Sequence, residues 1–304
     1  MLRNFTLVDK KLVESQNGES PIMVFVAPDE AERKRLVEEF RIDEHTLNSS
    51  LDPDELARLE FEPDHAAMIY KRPKNYSSEQ ALAFRVISSG IFLFKNRLII
   101  VQPEDVKLFD GRHFNKVQTL QEVFLKLLSR SILHFLEHLK IINSISDELE
   151  QKINKSMENS ILINLFTLEK SLVYYLNAIN TNSVLLERLR NNLGKLEFNQ
   201  EEHEYLDDLI VENSQCYRQA EIYSNILASL MDARASIVGN NLNVLMKRLN
   251  LITISIMVPT FVVSAFSMNV GIPLSKHPSA FWIIMGLAVI SVASFMIFWR
   301  RNKW

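Results

Sequence analysis

The sequence predicts an α+β protein: a mixed α/β domain first, then long helices, then two membrane-spanning helices near the C-terminal end. Three observations carry this. Only seven glycines occur among 304 residues, and charged residues recur at helical spacing over most of the chain. Strand-like segments bounded by proline and turn residues are confined to residues 1–115. The two long apolar stretches, LITISIMVPTFVVSAF at 251–266 and AFWIIMGLAVISVASFMIFW at 280–299, both fall in the last sixth of the chain.

Composition narrows the function classes. A net charge of −3 gives no bulk electrostatic reason to expect nucleic acid as a partner. Cys216 is the single cysteine, so neither an intrachain disulfide nor a CxxC zinc knuckle can be built. GxGxxG, the P-loop, HExxH and GxSxG are absent; the usual enzyme constellations are missing and no organic cofactor is expected. MLRNFTLVDKK contains no apolar run of signal-peptide type, so the residues ahead of the apolar stretches are expected to be cytoplasmic.

In residues 1–115, PIMVFVAP (21–28), AMIYKRP (67–73) and IFLFKNRLIIVQP (91–103) read as strands, the last a hairpin turning at Lys95–Asn96. DEAERKRLVEEF (29–40) and DPDELARLEF (52–61) read as short helices, Asp52 capping with Glu55 three residues on. Residues 116–198 form a helical hairpin region: two long helices joined near 154–159, with Gly194 as the stop. His134 and His138, four apart, read as solvated helix residues, since no third metal ligand lies at a fitting spacing. Residues 199–248 contain no proline and only Gly239, and read as one stalk helix running unbroken into the membrane.

A bilayer core of roughly 30 Å takes about 20 apolar residues. Residues 280–299 meet this without a charge; residues 249–268 reach it once the flanks of the first stretch are included. Lys247 and Arg248 precede the first span, and Arg300, Arg301 and Lys303 follow the second in a basic tail, 300–304. The connecting loop, 269–279, carries Lys276. This distribution places both termini in the cytoplasm and the loop outside.

The second span is the more uniformly apolar and suits lipid. Along the first, Asn243, Met246, Asn250, Thr253, Met257, Thr260 and Ser264 recur in alternating steps of three and four, on one face. Such groups are costly in a membrane unless they face a partner or a water-filled path. The stripe reads as a pore wall, and because one helix cannot enclose a pore, several copies around an axis are expected. Met246, Leu249 and Met257 then become apolar constrictions, while Thr260 and Asn269 offer oxygens to a hydrated cation. Asp207, Asp208 and Asp232 lie upstream; a solvated face explains them, and Asp232 is near enough to the membrane to form a cation-collecting ring.

A cytoplasmic α/β domain, a long helix entering the membrane, two C-terminal spans and a triplet ending in Met-Asn together resemble the CorA family of divalent-cation channels. The likeness covers nearly the whole chain. It is carried by NVLMKRLNLITISIMVPTFVVSAFSMN (243–269), NVGIPLSKHPSAFW (269–282) and RRNKW, and less strongly by FRIDEHTL (40–47) and the hairpin at 91–101. The resemblance implies a funnel-shaped homopentamer in the cell (inner) membrane, in contact with lipid, passing Mg²⁺ and related ions such as Co²⁺ or Ni²⁺. It assigns Ser267, Met268 and Asn269 to the selectivity triplet, with Asn269 at the outer mouth binding hydrated Mg²⁺. Thr260 becomes the next polar ring, Met257, Leu249 and Met246 the gate, and Asn243 the cytoplasmic exit. Asp232 matches an acidic stalk position, and Asp208 one side of a cytoplasmic metal-sensing pair.

The sequence departs from the family pattern in three places. Ser267 replaces a glycine, which has freedom and close approach that serine lacks. Asn48 and Ser49 stand where an acid would face Asp208. The outer loop has Lys276 and no acid. Two alternatives therefore stay open: a Zn²⁺ transporter of the ZntB type, or a poorly conducting membrane sensor or scaffold that keeps the fold.

Overall fold

The computed structural model describes residues 1–15, 20–76, 82–106, 108–109, 114, 116–153, 159–268, 271 and 277–302. The chain divides into two compact units, Met1–Met231 and Asp232–Trp304. In the first, β1 (Leu2–Val8), β2 (Lys11–Ser15) and β3 (Ile22–Val26) are followed by α1 (Glu30–Glu38) and α2 (Glu44–Leu51). Next come β4 (Arg58–Phe61), β5 (His65–Pro73), β6 (Val86–Phe94) and β7 (Leu98–Gln102), then the long helices α3 (Leu120–Ile153) and α4 (Asn159–Arg190). Helix α5 runs from Gln200 to Phe266 and so begins in the first unit and ends in the second, which α6 (Ala280–Asn302) completes.

The seven strands form one sheet in the order β2-β1-β3-β7-β6-β5-β4, and only the β3–β7 pair is parallel. Side chains alternate across a strand, and the sheet buries both faces. Val24, Met68, Ile91 and Ile100 share one cluster with Val123, Leu127, Leu168 and Leu209 of α3, α4 and α5. Met23, Phe25, Phe92 and Ile99 meet Leu36 and Leu47 of α1 and α2 on the other side. That second layer lies close: a Cβ on Gly90 of β6 would stand 2.7 Å from the Ser50 Cβ, so glycine is required there.

Local chemistry explains the element ends. Asp29 accepts from the Glu32 N–H at 2.8 Å while the Glu32 carboxylate accepts from the Asp29 N–H at 3.1 Å, closing a capping box on α1. Asn199 and Glu202 make the same reciprocal pair, 2.9 Å each way, at the start of α5. The helix expected at 52–61 does not form. Asp52 instead ends α2, its N–H reaching the Ser49 carbonyl at 3.3 Å, and Arg58–Phe61 is an edge strand. Its two-residue alternation buries Leu59 opposite Met68, which a helix could not do. Gly194 is not the stop of α4: that helix ends at Arg190, where the Asn192 side chain donates to the Arg188 carbonyl at 2.8 Å. The join near 154–159 falls largely outside the described residues.

A polar cross-link adds to the apolar contact between the helical layer and the sheet. Strand β4 pairs with β5 only as far as Arg58–Ile69, leaving the backbone at Lys71 without a strand partner on that side. Asn182 of α4 replaces it: its amide oxygen accepts from the Lys71 N–H at 2.9 Å, and its nitrogen donates to the Lys71 carbonyl at 2.8 Å. Ser131 of α3 donates to the same carbonyl at 2.9 Å.

His134 and His138 are not solvated, contrary to the expectation from spacing. His134 is half-buried; His138 is buried, its Nδ1 2.6 Å from the Tyr175 hydroxyl. Burial pushes His134 down to about 3 and His138 down to about 4. Among the described residues no cluster of three or more His, Cys, Asp or Glu side chains could hold a metal ion.

Candidate functional site

The second unit supplies the candidate site. Both α5 and α6 contain a stretch long and apolar enough to cross a membrane, and almost none of either stretch is buried. Pro259 lies inside α5 and has no N–H to give the Ser255 carbonyl, a gap that membrane helices tolerate where a neighbour covers it. The partly shielded positions along this part of α5 include Leu251, Ser255, Val258, Val262 and Ala265. On α6 they include Ile284, Ala288, Ser291 and Phe295. Each set lies on one helix face, and each mixes small residues with larger ones, the composition that lets membrane helices approach closely.

The polar stripe is on the other side. Asn243, Met246, Asn250, Thr253, Met257, Thr260 and Ser264 are all exposed, as is Leu249. At 100° per residue the centre of this stripe is roughly 150° from the centre of the shielded face. Met246, Leu249 and Met257 keep half or more of their surface open, at 50%, 57% and 62%. Large apolar side chains and hydroxyls thus share a face that this chain does not cover for itself.

The hydroxyls on the stripe are oriented. Thr253 Oγ1 donates to the Leu249 carbonyl at 2.9 Å, and Thr260 Oγ1 to the Ile256 carbonyl at 2.6 Å. A hydroxyl that spends its proton on its own helix presents only lone pairs outward. Such a group accepts hydrogen bonds and does not offer them. Water molecules bound to a cation do the opposite: their protons point outward. Thr253 and Thr260 thus offer acceptors outward, the polarity that the protons of ion-bound water require, while Asn243 and Asn250 carry both donors and acceptors.

Of the triplet, Ser267 and Met268 are described and exposed; Asn269 lies outside the described residues, as does Lys276 of the loop. Ser267 closes the last turn of α5, its N–H and its hydroxyl both reaching the Ser264 carbonyl, at 3.1 and 2.9 Å. Its backbone is not in the left-handed region, so φ alone does not demand a glycine there.

The acidic positions are separate. Asp208 and Asp232 are exposed on α5, 24 residues apart by their numbers, and neither joins a metal-binding cluster among the described residues. At Asn48 and Ser49 the neighbours are cationic. Arg33 Nη1 donates to Asn48 Oδ1 at 3.4 Å, and Arg58 Nη2 to Ser49 Oγ at 3.2 Å. Arg58 is itself paired with Glu55 at 2.6 Å and Glu60 at 3.1 Å, so this corner carries both signs of charge. Neither arginine is adjacent in the chain to the residue it contacts, so spacing alone does not reveal these pairs.

Comparison with known proteins identifies the family. The family profile described as CorA-like Mg²⁺ transporter protein matches residues 22–301. The chain is 26% identical over 288 residues to the cobalt/magnesium transport protein CorA of Methanocaldococcus jannaschii, covering 91% of this chain and 89% of that one. Its fold superposes on the complete structure of the CorA magnesium transporter from the same organism with a TM-score of 0.82, at 21% identity, over 100% and 98% of the two chains. It also matches the full-length CmaX protein, with a TM-score of 0.71 at 18% identity over 96% and 91%. With the profile spanning the sheet, the long helices and both candidate spans, the chain belongs to the CorA-like Mg²⁺ transporter family, a family of membrane divalent-cation transporters.

Proposed function

We propose that this protein is the subunit of a homopentameric channel that admits Mg²⁺, with Co²⁺ or Ni²⁺ as related cargo, into the cytoplasm. The observation that carries the reading is the uncovered stripe on α5, opposite the face shaded within its own unit. A membrane helix that presents Asn, Thr and Ser at regular spacing needs either water or a partner on that side. Copies around a common axis supply both, each side chain becoming a ring. Thr260 and Thr253 bond to the ion's water shell; Met246, Leu249 and Met257 form the narrow apolar stretch that wets or dries as the gate. Asn243 lies at the cytoplasmic exit, Asp232 gathers cations below it, and Asn269 receives the hydrated ion at the outer mouth. The basic residues flanking the spans, Lys247, Arg248, Arg300, Arg301 and Lys303, support cytoplasmic termini in the cell (inner) membrane.

No energy source beyond the gradient is needed. An inside-negative potential contributes about 2.3 kcal/mol per charge per 100 mV, and twice that for a divalent ion. Asn48 and Ser49, both neutral, stand where the resemblance sets an acid against Asp208, which argues against control by cytoplasmic metal there.

The test is metal-resolved uptake by purified protein in liposomes, parent against Asn269→Ala. Saturable Mg²⁺ entry that follows an imposed potential and collapses in the variant supports the proposal. Entry of Zn²⁺ alone, coupled to protons, or no entry of any divalent ion, refutes it.

A further inference from the structure

The α3 side of the sheet contains a cavity of about 440 Å³ that the transport reading does not use. Its floor is the end of β5, its wall is α3, and its rim is the chain after β7. Arg72 of β5 lines it and is only 4% exposed. Among the described residues, the hydrogen bond of this guanidinium is a 3.3 Å contact from Nη1 to the neutral amide oxygen of Gln102. No carboxylate among the described residues lies within ion-pair distance of it. Glu104 acts on Arg72 electrostatically but bonds Lys74, at 3.0 Å.

That arrangement is unusual in energy. A guanidinium cannot escape burial by giving up its proton, and buried charges are ordinarily paired. Burial lowers the Arg72 pKa, which reports the same desolvation penalty. A second cation faces the same space: Arg130 of α3 lines the cavity, held from outside by Glu137 at 3.0 Å. Asn75, Ser131 and a neutral His134 share the lining. The Ser131 hydroxyl donates to the Lys71 carbonyl. Against the two arginines there is one acid on the rim, Asp105, which is engaged by Arg3 at 3.5 Å. The volume lies in the range that holds small metabolites.

We propose that this cavity binds a small phosphate-bearing anion, its oxygens taken by the Arg72 and Arg130 guanidiniums with Asn75 as a neutral donor. The planar fork of arginine suits phosphoryl oxygens, and here one fork is fixed by the sheet and the other by a helix. The site is in the first unit, away from the membrane spans in sequence, and stands independently of the channel proposal. Free inorganic phosphate and the phosphoryl tail of a nucleotide share this chemistry.

The experiment is equilibrium binding of radiolabelled inorganic phosphate and, separately, of labelled ATP to the full-length protein in detergent, with EDTA present so that no metal bridges the ligand. Saturable binding that weakens about tenfold or more in Arg130→Gln is expected, the loss of one charge-assisted contact. Arg72→Met is expected to abolish binding while the ligand-free protein melts no lower than the parent, because an unpaired buried charge has been replaced by an apolar chain. Tighter binding of ATP than of phosphate identifies a nucleotide site; the reverse identifies a free-anion site. Absence of saturable binding of both probes by the parent overturns the proposal, and so does binding unchanged in Arg130→Gln. Melting of ligand-free Arg72→Met well below the parent also counts against it, since Arg72 would then be structural.

Discussion

Thr253 and Thr260 make the same bond two turns apart: each hydroxyl donates to the carbonyl four residues back, at 2.9 and 2.6 Å. Both lie on the uncovered face of α5 and both turn acceptor lone pairs outward. Thr260→Val keeps the shape and removes the acceptor. Divalent uptake should fall about fivefold, the equivalent of about 1 kcal/mol for one lost hydrogen bond to the ion's water. Assembly, read by size-exclusion chromatography, should not change. Unaltered uptake would mean that the hydroxyl serves only its own helix.

Ser267→Gly introduces the glycine that the family resemblance leads one to expect at this position. Because Ser267 sits in an ordinary backbone region and stays exposed, its Cβ is accommodated without strain. The variant loses one exposed side-chain bond to Ser264. Liposome uptake is expected to stay within about fivefold of the parent, the scale of one such bond. An increase far beyond that would show that serine obstructs the mouth, and would favour the scaffold reading.

Acid should destabilise the first unit. Burial is the largest cause depressing both histidines, to about 3 for His134 and about 4 for His138. His138, Arg72 and Arg130 press His134 further down, while Glu137 opposes the shift at His138. The unfolded chain has histidines near 6.5 and takes up protons that the folded one refuses. Their contribution is therefore fully present above pH ~6.5 and declines as pH falls towards the folded values. Melting temperatures from pH 7.5 to 5 should drop, and His134→Gln should flatten that slope. An unchanged slope would place the acid sensitivity elsewhere.

Asn182→Leu tests the link between α4 and β5. It leaves the buried Lys71 N–H unpaired and its carbonyl with Ser131 alone. A loss of about 2–3 kcal/mol is expected in urea unfolding of the first unit, from one orphaned donor plus one lost bond. A loss below ~0.5 kcal/mol would show that the sheet end does not depend on this amide.

Much of the fold could be read from the residues because the signals were local. The helix in DEAERKRLVEEF, the all-buried IMVFV strand and the long apolar spans each announce themselves within a few positions. Hairpin β1–β2 was missed because its two-residue turn is Asp9-Lys10, both at positive φ, without the glycine or asparagine that normally marks such a turn. Arg58–Phe61 was misread because an acidic residue before a helix-like composition outweighed a four-residue alternation. On the candidate path, the stripe was visible as a period. Which face its own unit shades, and where the hydroxyl protons go, depend on packing that one-dimensional spacing does not contain. Arg72 and Arg130 lie in different elements and share no motif; only the fold puts them on one cavity.

The stripe can be probed for water directly. Cys216 is the single native cysteine, so Cys216→Ala provides a background in which Thr260→Cys and Val262→Cys sit on opposite faces of α5. A membrane-impermeant cationic thiosulfonate, applied during Mg²⁺ uptake into liposomes, should modify Thr260→Cys and block entry while leaving Val262→Cys conducting. Modification confined to Val262→Cys, with Thr260→Cys inert, would mean that the polar face meets lipid or protein and that ions travel by another route.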